Sequence, residues 1–131
     1  MSKVFTNGCF DILHRGHMEL LKFCRQLAQP SGTVIVGLNS DQSVRALKGN
    51  SRPIFNEVDR KFMLESCIYV DEVMVFNEPT PYNLIKSLKP DTIVKGGDYK
   101  ASSVVGADLC DIRIFNYIDG YSTTTALKRG Q

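Results

Sequence analysis

Tryptophan is absent from this 131-residue sequence, and histidine occurs only twice, at His14 and His17. So few imidazoles exclude a site built mainly of histidine ligands. Cysteine is sparse too: Cys9, Cys24, Cys67 and Cys110 stand far apart, with no C-x-x-C pair to hold zinc or cycle with a disulfide. They read as buried thiols in a reducing compartment. Neither sign of charge dominates. Sixteen basic against fourteen acidic residues leave a formal +2, too little for a nucleic-acid track, although Arg45, Lys48, Arg52, Arg60 and Lys61 could attract one compact polyanion. The longest uncharged stretch of the first half, residues 27–39, contains Pro30, Ser31 and Gly32 and is too short and polar to span a bilayer. No secretory signal pattern opens the chain, so no membrane partner and cytoplasmic residence are expected. Without repeats, low-complexity tracts or a linker, residues 1–131 read as a single domain of ordinary size.

What is present is an alternation of strand and helix signals. Strands are expected at residues 3–6, 33–38, 72–76, 91–95 and 111–116. The second of these, TVIVGL, is β-branched and nearly all apolar, the pattern of a parallel strand buried on both faces. A helix over residues 16–28 carries Leu20, Leu21, Cys24, Leu27 and Ala28 on one broad face. Ser40 and Asn56 read as N-caps of helices running to Gly49 and to about Ser66. Pro79 reads as an early-helix position before Leu84, Ile85 and Leu88, and Ser122 as the start of a last short helix. Residues 102–108 are ambiguous. Together these predict an α/β fold: an open, Rossmann-like, parallel five-stranded sheet with helices on both faces. Such a sheet binds ligands beyond the carboxyl ends of its strands, where several informative loops fall.

The first of these loops holds Asp11, His14, Arg15, Gly16 and His17. Two histidines three residues apart at a helix start can put both rings on one side, next to free backbone N–H groups that favour phosphate. Gly16 permits close approach. Surface polarity, or metal ligation by both histidines with Asp11, are the competing readings. Lys48, before Gly49, could reach a phosphate or simply be solvated. Arg60 is a cation in the first turn of a helix, where the dipole disfavours it, so an anion should compensate: a ligand, or Glu57 or Asp59 nearby. Ser122, Thr123 and Thr124 place three hydroxyls after Gly120, suited to a phosphate clamp or to ordinary capping. Lys95, Gly96, Gly97, Asp98 and Tyr99 allow close backbone approach to a base or sugar, with Asp98 as an acceptor for hydroxyls or a turn stabiliser. Cys9 lacks any pattern for nucleophilic work.

The stretch TNGCFDILHRGH from Thr6 to His17 resembles the nucleotidyltransferase superfamily that carries the HxGH signature. With LNSD, LKG, RP, KGGDY, VGAD and GYSTT following in order, the whole chain is similar to the bacterial heptose 1-phosphate adenylyltransferase family, found as one domain of a two-domain kinase and adenylyltransferase. That resemblance implies transfer of AMP from ATP to a sugar 1-phosphate, D-glycero-β-D-manno-heptose 1-phosphate, giving ADP-heptose and pyrophosphate. It implies catalytic roles for His14, His17, Lys48 and Arg60. It implies nucleotide or sugar binding by Thr6, Asn7, Gly8, Phe10, Asp11, Gly16, Lys95, Gly97, Asp98, Ser122, Thr123 and Thr124. Mg²⁺ would be held through the nucleotide phosphates, with no protein metal site, and a homodimer is implied. With no sugar kinase in the sequence, a separate kinase should supply the 1-phosphate. Glycerol-3-phosphate cytidylyltransferases resemble the chain in length and at both ends, and the loop KGGDY separates the two readings. The segment Leu109-Cys110 is shorter than the family's usual stretch, which puts the acceptor side in question.

Overall fold

A computed structural model describes residues 2–97 and 99–116. Five strands, β1 (Lys3–Gly8), β2 (Thr33–Asn39), β3 (Glu72–Phe76), β4 (Thr92–Gly96) and β5 (Asp111–Phe115), form one sheet in the order β3-β2-β1-β4-β5, with every pairing parallel. The expected Rossmann-like α/β architecture is what the chain adopts. Four α-helices, α1 (Arg15–Ala28), α2 (Asp41–Lys48), α3 (Glu57–Glu65) and α4 (Tyr82–Leu88), and a 3-10 turn at Ala101–Ser103 supply the connections.

Register explains the two cores. Val4 pairs with Val34 and Phe5 with Ile35, so alternate residues face opposite sides. Val4 and Val34 meet Leu20, Cys24 and Ala28 of α1, while Val36 and Leu38 continue that face against Leu21 of α1 and Leu64 of α3. On the other face Phe5, Ile35 and Ile93 pack with Ile85 of α4 and with Val104. Each fully buried Leu, Ile or Phe contributes roughly 1.5–3 kcal/mol of transfer free energy, so the helices are held mainly by these stripes.

Several boundaries differ from the sequence reading. β1 runs on to Gly8, because residues 7 and 8 still pair with Gly37 and Leu38. Pro79 lies outside the helix: α4 begins at Tyr82 with Pro81 at its N-cap and no side-chain cap. The ambiguous residues 102–108 make only the 3-10 turn and further turns, yet they complete the parallel crossover from β4 to β5. Val104 enters the core, and Gly106, at φ 97°, lies so close to Ile93 that an added Cβ would stand 2.6 Å from its Cδ1. The helix expected from Ser122 lies outside the described residues.

Candidate active site

β1 is central, and the connections that follow it and its neighbour β4 separate: α1 packs on one face, whereas the segment after β4 packs on the other. The carboxyl ends of β1 and β4 therefore open a crevice at the topological switch point. A cavity of about 530 Å³ lies there. Asn7, Gly8, Cys9 and Phe10 come to it from β1, His14 and His17 from α1, Asn39 from β2, Lys48 from α2, and Lys95, Gly96 and Tyr99 from β4 and beyond. Leu47, Pro79, Pro81 and Val105 add apolar wall, with Thr80 between the prolines.

The two histidines build the start of α1 themselves. His14 is the N-cap: the Gly16 and His17 amides donate to its Nδ1 at 3.0 and 3.4 Å, and the His14 amide donates to Nδ1 of His17 at 3.3 Å. This is a capping box made of imidazoles in place of Ser and Glu. The first-turn amides expected to await phosphate are thus in part occupied by His14, and because its Nδ1 accepts, the proton of the neutral ring sits on Nε2. Phe10, itself at φ 47°, stands against His17 with ring centroids 5.1 Å apart.

Electrostatics favour neutral rings. Burial lowers the pKa of His14. For His17 burial, then repulsion from His14 and Lys48, brings the value down to about 4, against the Ile12 carbonyl, which favours the protonated ring. Burial also lowers the Lys95 ammonium, with Cys9 acting the other way, and the Nζ lies 5.4 Å from the Tyr99 ring centroid. Two neutral imidazoles, two lysines and a strand end rich in backbone groups can hold an anion by hydrogen bonds and charge together.

A family model described as cytidylyltransferase-like matches residues 5–124. The chain belongs to the cytidylyltransferase-like family. It is 50% identical over 127 residues to a bifunctional protein HldE of a Nitratiruptor species, covering 96% of this chain and 27% of that protein. It is 51% identical over 129 residues to the bifunctional protein HldE of Aliarcobacter butzleri, covering 98% and 26%. The chain therefore spans about a quarter of the length of the curated relatives it matches. Among solved structures, a lipopolysaccharide core biosynthesis protein from Thermoplasma volcanium is similar with a TM-score of 0.72 and 26% identity, over 93% of this chain and 99% of that one. A macrolide-efflux protein from Streptococcus pneumoniae, at 20% identity, TM-score 0.69 and 95% and 50% coverage, shares the fold.

In this cytidylyltransferase-like chain, Asn7, Gly8, Phe10, His14, His17, Lys48 and Lys95 come together at the cavity as the sequence suggests. Arg60 does not. It is 1% exposed, and its guanidinium donates to the carbonyls of Phe55 (Nε, 2.9 Å), Cys9 and Asn39 (Nη1, 2.8 and 2.7 Å) and to Asp41 (Nη2, 2.8 Å). The anion that compensates it is Asp41, in place of a ligand, Glu57 or Asp59. Asp11 is likewise committed. It accepts from Arg52 Nε at 2.7 Å and from the Ile54 and Phe55 amides at 2.8 and 2.9 Å. Burial alone would raise its pKa, but the Phe55 and Ile54 amides and Arg52 outweigh that and hold the carboxyl below its ordinary value. No group of three His, Cys, Asp or Glu able to hold a metal occurs among the described residues.

Thr6 is buried in β1 with its Oγ1 unpartnered, Gly16 is buried in the first turn of α1, and the Gly97 amide donates to the Phe115 carbonyl. None of these three is among the lining residues. Asp98, Ser122, Thr123 and Thr124 lie outside the described residues. Asn39, Leu47, Pro79, Thr80 and Pro81 are lining residues that the sequence reading missed. The signal was their position just after β2 and β3, at the same sheet edge as His14. No helix among the described residues is long and apolar enough to cross a membrane.

Proposed function

We propose that the chain is a nucleotidyltransferase that transfers AMP from ATP to D-glycero-β-D-manno-heptose 1-phosphate, yielding ADP-heptose and pyrophosphate. The observation that carries this reading is about 50% identity across nearly the whole chain to bifunctional HldE proteins, joined to a cavity that gathers the HxGH turn, Lys48 and Lys95. The similar Thermoplasma protein, described as acting in lipopolysaccharide core biosynthesis, is in keeping with an activated sugar as product.

In this reading an oxygen of the sugar phosphate attacks the α-phosphorus and the bond to pyrophosphate breaks, with no covalent enzyme intermediate. Such a transfer depends on positioning and on stabilising phosphoryl charge. His14, with its proton on Nε2, donates a hydrogen bond, and His17, neutral at pH 7, does so without adding repulsion to Lys48. Lys48 meets the triphosphate and Lys95 the acceptor phosphate. Ser122, Thr123 and Thr124 would clamp the β- and γ-phosphates, with Asp98 and Gly97 toward base or sugar. Arg60 and Asp11 serve by holding the loops that carry these groups. Mg²⁺ would be held through the nucleotide phosphates and would offset part of their charge; the commitment of Asp11 to Arg52 and two amides fits that better than a protein cage. The working unit is a homodimer, and a sugar kinase activity supplies the acceptor.

Pyrophosphate release measured with ATP or CTP crossed against heptose 1-phosphate or glycerol 3-phosphate tests the reading. Turnover should be confined to ATP with heptose 1-phosphate. No turnover with that pair rejects it, and turnover of CTP with glycerol 3-phosphate replaces it.

A further inference from the structure

Lys48 reaches the cavity from an unusually bare part of the molecule. From Arg45 to Asn56 no residue is buried and only Arg52 and Pro53 are even half-buried, so hydrophobic packing cannot fix this stretch. Within it the backbone makes only local bonds, such as the Gly49 amide to the Arg45 carbonyl and the Arg52 amide to the Gly49 carbonyl. What ties it to the body sits at its two ends, with buried Val44 beside polar contacts at the first and polar contacts alone at the second. At the first end Asp41 receives Arg60 Nη2, and its amide donates to Glu57 at 2.9 Å. At the second end Asp11, whose side chain is 0% exposed, takes Arg52, Ile54 and Phe55 at once. Arg60 joins the two ends, because the same guanidinium also holds the Phe55 carbonyl and the carbonyl of Cys9 beside the cavity.

We propose that residues 45–55 are an arm held at one end by α2, through buried Val44 and the Arg60–Asp41 pair, and at the other by the Asp11–Arg52 pair, and that Asp11 is a positioning residue that sets Lys48 in the cavity. The proposal rests on reading that cavity as the triphosphate site. A further detail supports it: Arg52 Nη2 is buried with no partner, a cost that an apolar tether would avoid and that buys a fixed geometry instead. Beyond Val44 the arm has no apolar anchor, so it is free to swing once the Asp11 clamp opens, and Lys48, a point charge on a long flexible stem, then loses its fixed distance to an anion.

The test is a double-mutant cycle on affinity for ATP with Mg²⁺, read by calorimetry, paired with hydrogen exchange of the whole chain. Lys48→Ala should weaken binding by about tenfold or more, as expected for loss of a charged hydrogen bond. Asp11→Asn should weaken it comparably, and the double variant should bind no more than about twofold worse than Lys48→Ala alone. Amides of residues 45–56 should exchange faster in Asp11→Asn while those of β2 do not. If the two losses multiply, Asp11 acts on the ligand or on the whole fold, and the proposal is overturned. If Asp11→Asn does not fold, Arg52→Met, which leaves Asp11 its two amide donors, takes its place in the cycle. If the unmodified protein binds neither ATP nor CTP, the nucleotide reading fails separately. The clamp is then judged by exchange alone: acceleration confined to residues 45–56 upholds it, and uniform acceleration overturns it.

Discussion

The rings of His14 and His17 stack with centroids 3.8 Å apart and planes 22° from parallel, while each ring receives the backbone amide of the other residue. The pair is thus a reciprocal cap as well as the head of the candidate site. Burial disfavours charge on both rings, and a charged His14 would further repel a charged His17, so both imidazoles are held toward the neutral form. Capping and the proposed anion recognition draw on the same two side chains.

Replacing His17 with Asn should leave the far-ultraviolet circular dichroism nearly unchanged, since α1 keeps its cap from His14 and its buried stripe of Leu20, Leu21 and Cys24. Turnover should fall by about 100-fold or more in kcat/KM, or at least ~2.7 kcal/mol of transition-state stabilisation. Near-normal kcat/KM would remove His17 from the mechanism.

His17 also predicts how stability varies with pH. Its native pKa, about 4, lies below the ordinary 6.5, so between those values the unfolded chain binds more protons and stability falls as pH falls. The contribution is intact above 6.5 and reaches a loss of up to about 3 kcal/mol near pH 4. Asp11, also depressed, adds a loss beginning below the ordinary carboxyl value of 3.8. Urea midpoints at pH 7 and pH 4.5 should separate in the wild type and converge in His17→Asn; equal separation in both would assign the effect elsewhere.

Arg60→Met should cost about 3 kcal/mol or more in urea unfolding, because it strips donors from three backbone carbonyls and leaves Asp41 without its partner. A variant of unchanged stability that had lost only ATP affinity would return Arg60 to direct phosphate contact.

Gly106→Ala tests the packing of the β4 to β5 crossover. The new methyl would meet Ile93 Cδ1 at 2.6 Å and Ile85 Cδ1 at 3.2 Å, at a φ of 97° that alanine rarely adopts. Destabilisation of roughly 1–3 kcal/mol is expected, together with a raised KM, since the same crossover carries Tyr99 and Val105 to the cavity. A change in stability with KM untouched would detach that wall from substrate binding.

The thiols offer a chemical probe. Cys24 is 0% exposed and burial pushes its pKa up to about 12, so it should stay unmodified in the native protein. Cys9 lines the cavity. Maleimide labelling of Cys9, followed by peptide mass spectrometry, should slow at least several-fold when ATP is bound; labelling at an unchanged rate would place the nucleotide elsewhere.

Much of the fold was legible from the order of residues. Runs such as TVIVGL, the caps Ser40 and Asn56, and the apolar stripe of α1 are local signals, and local backbone preference and burial act on neighbours in the chain. The HxGH turn was equally legible, because both histidines lie within one helical turn. Pro79 misled because proline suits either a helix start or the loop before one, and the choice was made by Pro81 two residues later.

Sequence by itself therefore determined the βα alternation, the family and the place of the HxGH turn. Tertiary structure alone decided which charged residues face the cavity. Lys48 and Arg60 look alike in a sequence, each a cation near the end of a helix. Arg60, however, lies under the loops after β1 and β2, where four acceptors converge on its planar guanidinium, and Lys48 lies at the exposed end of α2, where it lines the cavity. A buried charge must be matched by partners brought from distant segments, and only the folded chain brings them.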